Sequence, residues 1–207
     1  SLATLNIGWS QNGNTYYASG SATGVLDALV READVDLHLS ELNVGRGSFN
    51  GFGTGTLKWD QTEVIAAQDV YFGRGNATGN LEVAAGGEFH LGTDTEWIAN
   101  LCIAYNDAAR GTATADLDFS VSNPTVTAFV LDDLSIGRET GAADWNGTTA
   151  NGSLTLASNS TLHLGTAASL ATLNIGWSQN GNTYYAGGSA TGVLDASQGS
   201  FTADLST

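Results

Sequence analysis

The 207 residues carry 21 acidic side chains against six Lys and Arg, for a net charge of −15 and a pI near 4.1. Charge of this sign repels phosphate backbones and excludes nucleic acid as a partner class. No apolar run reaches the roughly 18 residues of a membrane-spanning helix, and a single cysteine excludes an internal disulfide framework.

Gly accounts for 27 residues, Pro for one and Met for none. Short apolar triplets stand between runs of Gly, Ser, Thr, Asn and Ala. In chain order the first is "LNIG" at 5–8. A loop over 9–23 follows, then "VLDA" at 25–28, "LHL" at 37–39 and "LNVG" at 42–45. The same order returns as "TLKW" at 56–59, "IAA" at 65–67 and "VYFG" at 70–73, then as "NLEV" at 80–83, "FHL" at 89–91 and "LCIA" at 101–104. It returns again as "DLDF" at 116–119, "FVL" at 129–131 and "LSIG" at 134–137. A further round gives "SLTL" at 153–156, "LHL" at 162–164 and "LNIG" at 173–176, and "VLDA" at 193–196 opens the next.

Apolar residues at i and i+2 mark strands with one buried face. Three short strands per unit, separated by Gly-rich corners, predict an all-β chain folded as a β-solenoid (β-helix). A β-sandwich is disfavoured, because it needs no fixed three-strand order. Residues 1–28 return at 169–196 with 27 of 28 positions unchanged, Ser19 becoming Gly187. Residues 1–207 are therefore expected to form one continuous solenoid. Residues 1–168 make one super-repeat of about five coils, and 169–207 start a second near-identical copy. The chain lacks an initial Met and a basic-then-apolar leader, which reads as a mature fragment or a window from a longer chain.

Stacking the units predicts inward columns. One holds Leu26, Leu57, Leu81, Leu117, Leu154 and Leu194; a second holds Leu37, Ile65, Phe89, Phe129 and Leu162. Two more hold Leu5, Leu42, Val70, Leu101, Leu134 and Leu173, and Ile7, Val44, Phe72, Ile103, Ile136 and Ile175. Outward columns carry the candidate chemistry. His38, His90 and His163 fall at the middle of the "LHL" strands, with Ala66 and Val130 between them. A pH-sensitive stripe is one reading and tolerated surface residues the other. Trp9, Arg46, Arg74, Tyr105, Arg138 and Trp177 form a column in which guanidinium planes stack on rings. It reads as a structural ladder or as a stripe for sugars or polyanions. Asp27, Lys58, Glu82, Asp118, Thr155 and Asp195 form a charged column. No cofactor is required, although Glu82 and Asp118 on adjacent coils are candidate Ca²⁺ ligands. Cys102 points away from the core by pattern, and the insert carrying Trp97 is expected to bury it as an inert thiol. Tyr16, Tyr17, Phe49, Phe52, Trp145, Tyr184 and Tyr185 cluster in edge loops as candidate binding aromatics. Asn76, Asn146, Asn151 and Asn159 head glycosylation sequons.

The stretches "GNLEVAAGGEFHLGT" at 79–93 and "GSLTLASNSTLHLGT" at 152–166 resemble the repeat units of large bacterial extracellular β-solenoid proteins, the autotransporter passengers and filamentous-haemagglutinin-like adhesins. The resemblance covers most of the chain in texture and rests on no diagnostic motif. It implies an extracellular, cell-surface rod used in adhesion or fibre building. The expected function is a non-enzymatic structural fibre or filament whose partners are copies of itself, end to end and laterally. A carbohydrate-binding adhesin with glycan partners is the alternative, and a solenoid polysaccharide lyase or hydrolase ranks last. Neither nucleic-acid binding nor membrane insertion is expected.

Overall fold

A computed structural model gives the fold and describes residues 3–11, 20–29, 35, 37–141, 147–179 and 187–206. Among these there is no helix. The strands in chain order are β1 (Ala3–Ser10), β2 (Gly20–Ala28), β3 (Leu37–Gly47), β4 (Gly51–Trp59), β5 (Ile65–Gly75), β6 (Ala77–Val83), β7 (Glu88–Leu91), β8 (Ile98–Asn106), β9 (Gly111–Asp118), β10 (Thr125–Glu139), β11 (Thr148–Thr155), β12 (Ser160–Leu164), β13 (Thr172–Ser178), β14 (Ser189–Asp195) and β15 (Ser200–Ala203). They make two parallel sheets. The smaller runs β2-β4-β6-β9-β11-β14, and the larger runs β1-β3-β5-β7-β10-β12-β15, with β8 between β5 and β10 and β13 beside β10. Each sheet thus takes its strands in chain order.

The strands are longer than the triplets that announced them. In β4 the residues Gly51, Gly53, Gly55, Leu57 and Trp59 are buried, and Phe52, Thr54, Thr56 and Lys58 alternate outward. Gly and Thr before the apolar pair therefore join the strand, since a period of two needs only small residues inside. The "LHL" and "LNIG" elements also do not always stand apart. Where two residues link them they form one strand, as in β3, β5 and β10. Only the longer links over 92–97 and 165–171 separate β7 from β8 and β12 from β13. The expectation of three short strands in every unit is corrected accordingly. Within β3 the buried positions change from Leu39 to Leu42, so the inward parity flips across Ser40 and Glu41.

The core lies between the sheets. Leu42, Val44, Leu57, Ile65, Phe72, Phe89, Ile103, Leu134 and Ile136 are at or near full burial. Several buried residues escaped the sequence columns, among them Ile98, Val126 and Leu156. Trp59 and Phe119 are inward and buried, because the residue two after each column leucine also faces in. One assignment is wrong. Phe129 faces outward beside His163, while Ala128 and Val130 are buried. The run "TAFVLDD" is apolar at both parities and cannot show which one faces the core.

A seam joins the sheets. Gly8, Gly45, Gly73, Gly137 and Gly176 all hold φ between 61° and 76°. A Cβ on Gly8, Gly45, Gly73 or Gly137 would enter the carbonyl of Thr54, Thr78, Thr114 or Thr191 in the smaller sheet. From the other side, Cβ atoms on Gly24, Gly55, Gly79, Gly152 and Gly192 would meet the backbone nitrogens of those same five glycines, in order, near Gly176 as near the rest. Only glycine combines this conformation with so close a backbone approach. The remaining position of the first row is Ala104, also at positive φ (59°), and its counterpart in the second row is Ala115.

Leu134 is buried between Leu101 and Leu173 in the ladder. Leu134→Asp leaves an unpaired charge in the core, and a loss of about 4 kcal/mol is expected. Leu194→Asp, on the outermost strand of the smaller sheet, should cost less than half as much. Urea unfolding monitored by far-UV circular dichroism measures both.

Candidate functional site

The "LNIG" strands stack in register, so side chains at equal positions form straight rows along the larger sheet. Three outward rows lie side by side. The first holds Thr4, Glu41, Asp69, Asn100, Asp133 and Thr172. The second holds Asn6, Asn43, Tyr71, Cys102, Ser135 and Asn174, and the third Trp9, Arg46, Arg74, Tyr105, Arg138 and Trp177. The positive-φ residue between the second and third rows displaces the alternation by one, which turns the third row out beside the first two.

Guanidinium groups of the third row reach back over the second to the acids. Arg46 Nη1 lies 3.2 Å from Glu41 Oε1, Arg74 Nη1 2.6 Å from Glu41 Oε2, and Arg138 Nη1 2.8 Å from Asp133 Oδ2. Arg74 Nε also donates to Asp107 at 2.9 Å. The same cations cover rings: Arg46 over Trp9 at 5.5 Å, Arg74 over Tyr71 at 4.3 Å, and Arg138 over Tyr105 at 5.7 Å and Trp177 at 5.2 Å. Three of the six basic residues are thereby held between carboxylates and aromatic faces, each contact worth about 0.5–1 kcal/mol where water reaches it. Burial pushes the Glu41 carboxyl up, but hydrogen bonding from Asn43 and the charges of Arg74 and Arg46 outweigh it and hold it below its ordinary value.

Cys102 is 5 % exposed, and burial pushes its thiol well above the usual range. Trp97 lies elsewhere. Its ring packs edge-on to Phe129 at 5.2 Å and approaches His163 at 6.4 Å, and its Nε1 donates to the Asp94 carbonyl. With His38, Gln68 and Glu96 it lines a groove of about 280 Å³ on the outer face of the larger sheet.

The three histidines do not share a row. His38 pairs with Ala66 and His163 with Phe129, whose rings stack at 4.8 Å. His90 pairs with Thr127, two residues earlier in β10, and its Nε2 lies 3.3 Å from Glu88 Oε2. Val130 sits in the core instead of between them. The charged column does align on the smaller sheet, where Lys58 lies between Asp27 and Glu82 and binds Glu82 at 2.9 Å. The β6–β9 ladder ends at Gly79↔Ala115, before Glu82 and Asp118 can pair. Asp118 instead accepts from the Ser120 amide at 2.8 Å. Among the described residues no three His, Cys, Asp or Glu side chains converge on a metal position.

The candidate aromatics are not gathered together. Phe49 sits in the turn after β3 beneath the Arg110 guanidinium at 3.9 Å, and Phe52 stands on β4 facing outward. Tyr16, Tyr17, Trp145, Tyr184 and Tyr185 lie outside the described residues, as does Asn146. Asn76 accepts from the Thr112 amide at 3.1 Å and is wedged against Gly111, whereas Asn151 and Asn159 are exposed. Sequence reading missed one row. Thr23, Thr54, Thr78, Thr114, Asn151 and Thr191 align on the outer face of the smaller sheet. Reading the residues before each "VLDA" triplet as loop concealed it; a Thr or Asn three residues before the column leucine was the available signal.

Comparison with protein-family models, curated proteins and solved structures finds no match to this chain.

Glu41 has a folded-state pKa below its unfolded value of 4.5. Its stabilisation is therefore complete above that value and is lost as pH falls through the lower folded-state value. Glu41→Gln should lower the melting temperature near neutral pH and flatten its decline between about pH 5 and pH 3. Thermal melts across that range check both. Cys102 should react with a thiol reagent only at the rate of unfolding, which denaturant-dependent labelling measures.

Proposed function

We propose that this chain is a β-solenoid with about five coils in 168 residues, and that it works as a non-enzymatic extracellular fibre or surface-filament protein assembled by stacking such coils. The observation that carries this reading is the set of parallel, in-register ladders taken in chain order, with residues 1–28 repeated at 169–196. Among the described residues, β1 and β2 pair on one side only, with β3 and β4. At the other end β13, β14 and β15 pair with β10, β11 and β12, and Ala171, just before β13, bridges on its other side to Leu205. Large apolar side chains stand on both edges: Trp9 (45 % exposed) and Val25 (57 %) on one, Ile175 (43 %), Trp177 (40 %) and Val193 (49 %) on the other. Unpaired strand edges are templates for further strands. Stacking of like tiers in one direction does not close on itself and so propagates, within one chain or between chains.

Strand ladders that follow chain order support the coil reading, as stacked coils would produce them. The likeness in texture to autotransporter passengers and haemagglutinin-like adhesins supports a cell-surface location. The partners on this account are copies of the same chain, end to end and laterally, with neither nucleic acid nor membrane insertion involved and no cofactor required. One observation favours the second reading, a carbohydrate-binding adhesin: the groove in which Trp97 meets His38, Gln68 and Glu96. An indole beside polar side chains is a stacking platform for a sugar ring.

Electron microscopy of the purified chain separates these readings. Unbranched filaments of uniform width are expected. Monodisperse short particles at all concentrations contradict the fibre, and glycan-array binding abolished by Trp97→Ala would favour the adhesin.

A further inference from the structure

We infer that the Trp97 groove is a binding site for a single N-acetylhexosamine at the end of a neutral glycan; the inference rests on the adhesin reading and names its ligand. The groove exists because the larger sheet is interrupted there. β7 meets β5 at one pair, Ile65↔Leu91, and β8 reaches β5 only from Asp69↔Asn100 onward. On its other side β8 has already joined β10, at Val130↔Ile98. Ala66, Ala67 and Gln68 therefore have no ladder partner on the side of the groove, although Ala66 and Ala67 pair with His38 and Leu39 on the opposite side.

The backbone at this break sets the ligand chemistry. The Ile65 carbonyl faces the β7 side, where it accepts from the Gly92 amide at 3.1 Å. Alternation along the strand turns the Ala67 amide and carbonyl to that same side. Ala67 thus lines a place from which a neighbouring strand is missing. An acetamido group carries the N–H and C=O of one peptide unit. Its carbonyl can accept from the Ala67 amide and its N–H can donate to the Ala67 carbonyl, as a residue of the missing strand would.

The rest of the groove fits the rest of the sugar. Its wall is fixed by its own hydrogen bonds. The Thr93 amide donates to the Glu96 carbonyl at 2.7 Å, and the Thr95 and Glu96 amides donate to Thr93 Oγ1 at 3.3 and 2.9 Å. Trp97 is held by its bond to the Asp94 carbonyl and by the Phe129 ring, so the stacking platform is in place before a ligand arrives. Leu39, Ala67 and Ile98 are buried and give the lining an apolar part, which accommodates an acetyl methyl. Gln68 and Glu96 are exposed beside it and offer partners to the hydroxyls. A volume of about 280 Å³ lies just under the ~300–1,000 Å³ of sites for drug-sized ligands, enough for one pyranose and not for a run of them. Among the described residues the lining holds no Lys or Arg. With Glu96 present and a net charge of −15, uronic and sialic acids are repelled.

The test is a titration of the full chain by saturation-transfer-difference NMR with the methyl glycosides of N-acetylglucosamine, N-acetylgalactosamine, glucose and galactose. At least one N-acetyl glycoside should bind saturably, with the strongest transfer to its acetyl methyl. The matching hexoside should bind about tenfold more weakly or worse, for want of the acetamide hydrogen bonds. Trp97→Ala should abolish binding by removing the platform. Ala66→Leu should abolish it by filling the groove while leaving Trp97 and its turn in place; the two act independently, so one variant that keeps the parent circular dichroism spectrum suffices. Equal binding of N-acetyl glycosides and hexosides overturns the acetamide assignment and leaves the adhesin reading standing. Failure of all four in a protein that binds other sugars on a glycan array does the same. Failure of all four with a blank array overturns both. Binding that survives a folded Trp97→Ala or Ala66→Leu variant puts the site elsewhere and overturns the inference.

Discussion

Backbone meets backbone along the line where the two sheets touch, and the rest of the structure depends on that approach. Gly45 faces Gly55, Gly73 faces Gly79 and Gly137 faces Gly152, with no room for a side chain on either partner. Left-handed backbone at the first member of each pair turns the chain out of the larger sheet towards the smaller. In one tier both members become alanine, Ala104 in the first row and Ala115 in the second. The joint replacement suits a seam locally opened by one methyl on each side, where a single replacement would strain its partner.

The seam also organises the surface. The extra left-handed residue moves Arg46, Arg74, Tyr105 and Arg138 onto the face that already carries Glu41, Asp69 and Asp133. Cations thus sit between acids and rings in a chain with 15 more negative than positive charges. Without that neutralisation, carboxylates stacked at about 4.8 Å would repel one another along the ladder. Tight glycine packing within and paired charges without bear on the same strands.

Sequence reading recovered the features that glycine enforces. The positions "LNIG", "LNVG", "VYFG" and "LSIG" stack as their shared fourth residue implies, and "LCIA" stacks with them through a left-handed Ala104, because a left-handed turn tolerates no slip of register. Features without a steric marker stayed hidden. Phe129 was placed inside because its run is apolar at both parities, and His90 was set level with His38 because the triplet pattern does not show that β7 pairs with β10 two residues out of step. Strand lengths were underestimated since Gly and Thr carry strands here as well as corners. Cys102 was expected to lie under the Trp97 insert, yet Trp97 packs on Phe129 and His163, a contact between distant residues that no local pattern encodes. Asn6 accepts from Asn43 while Asn174 donates to Asp133, a difference likewise invisible in two identical stretches.

The direct measurement of this account is the stability of Gly73→Ala against Ala104→Gly by chemical denaturation. A methyl at Gly73 must adopt left-handed backbone and displace the Thr114 carbonyl, and a loss of at least about 2 kcal/mol is predicted. Ala104→Gly relieves a left-handed alanine while removing one buried methyl, and should change stability by less than about 1 kcal/mol. A Gly73→Ala protein as stable as the parent, or an Ala104→Gly protein that loses as much as Gly73→Ala, would contradict the glycine seam as the constraint that sets the fold.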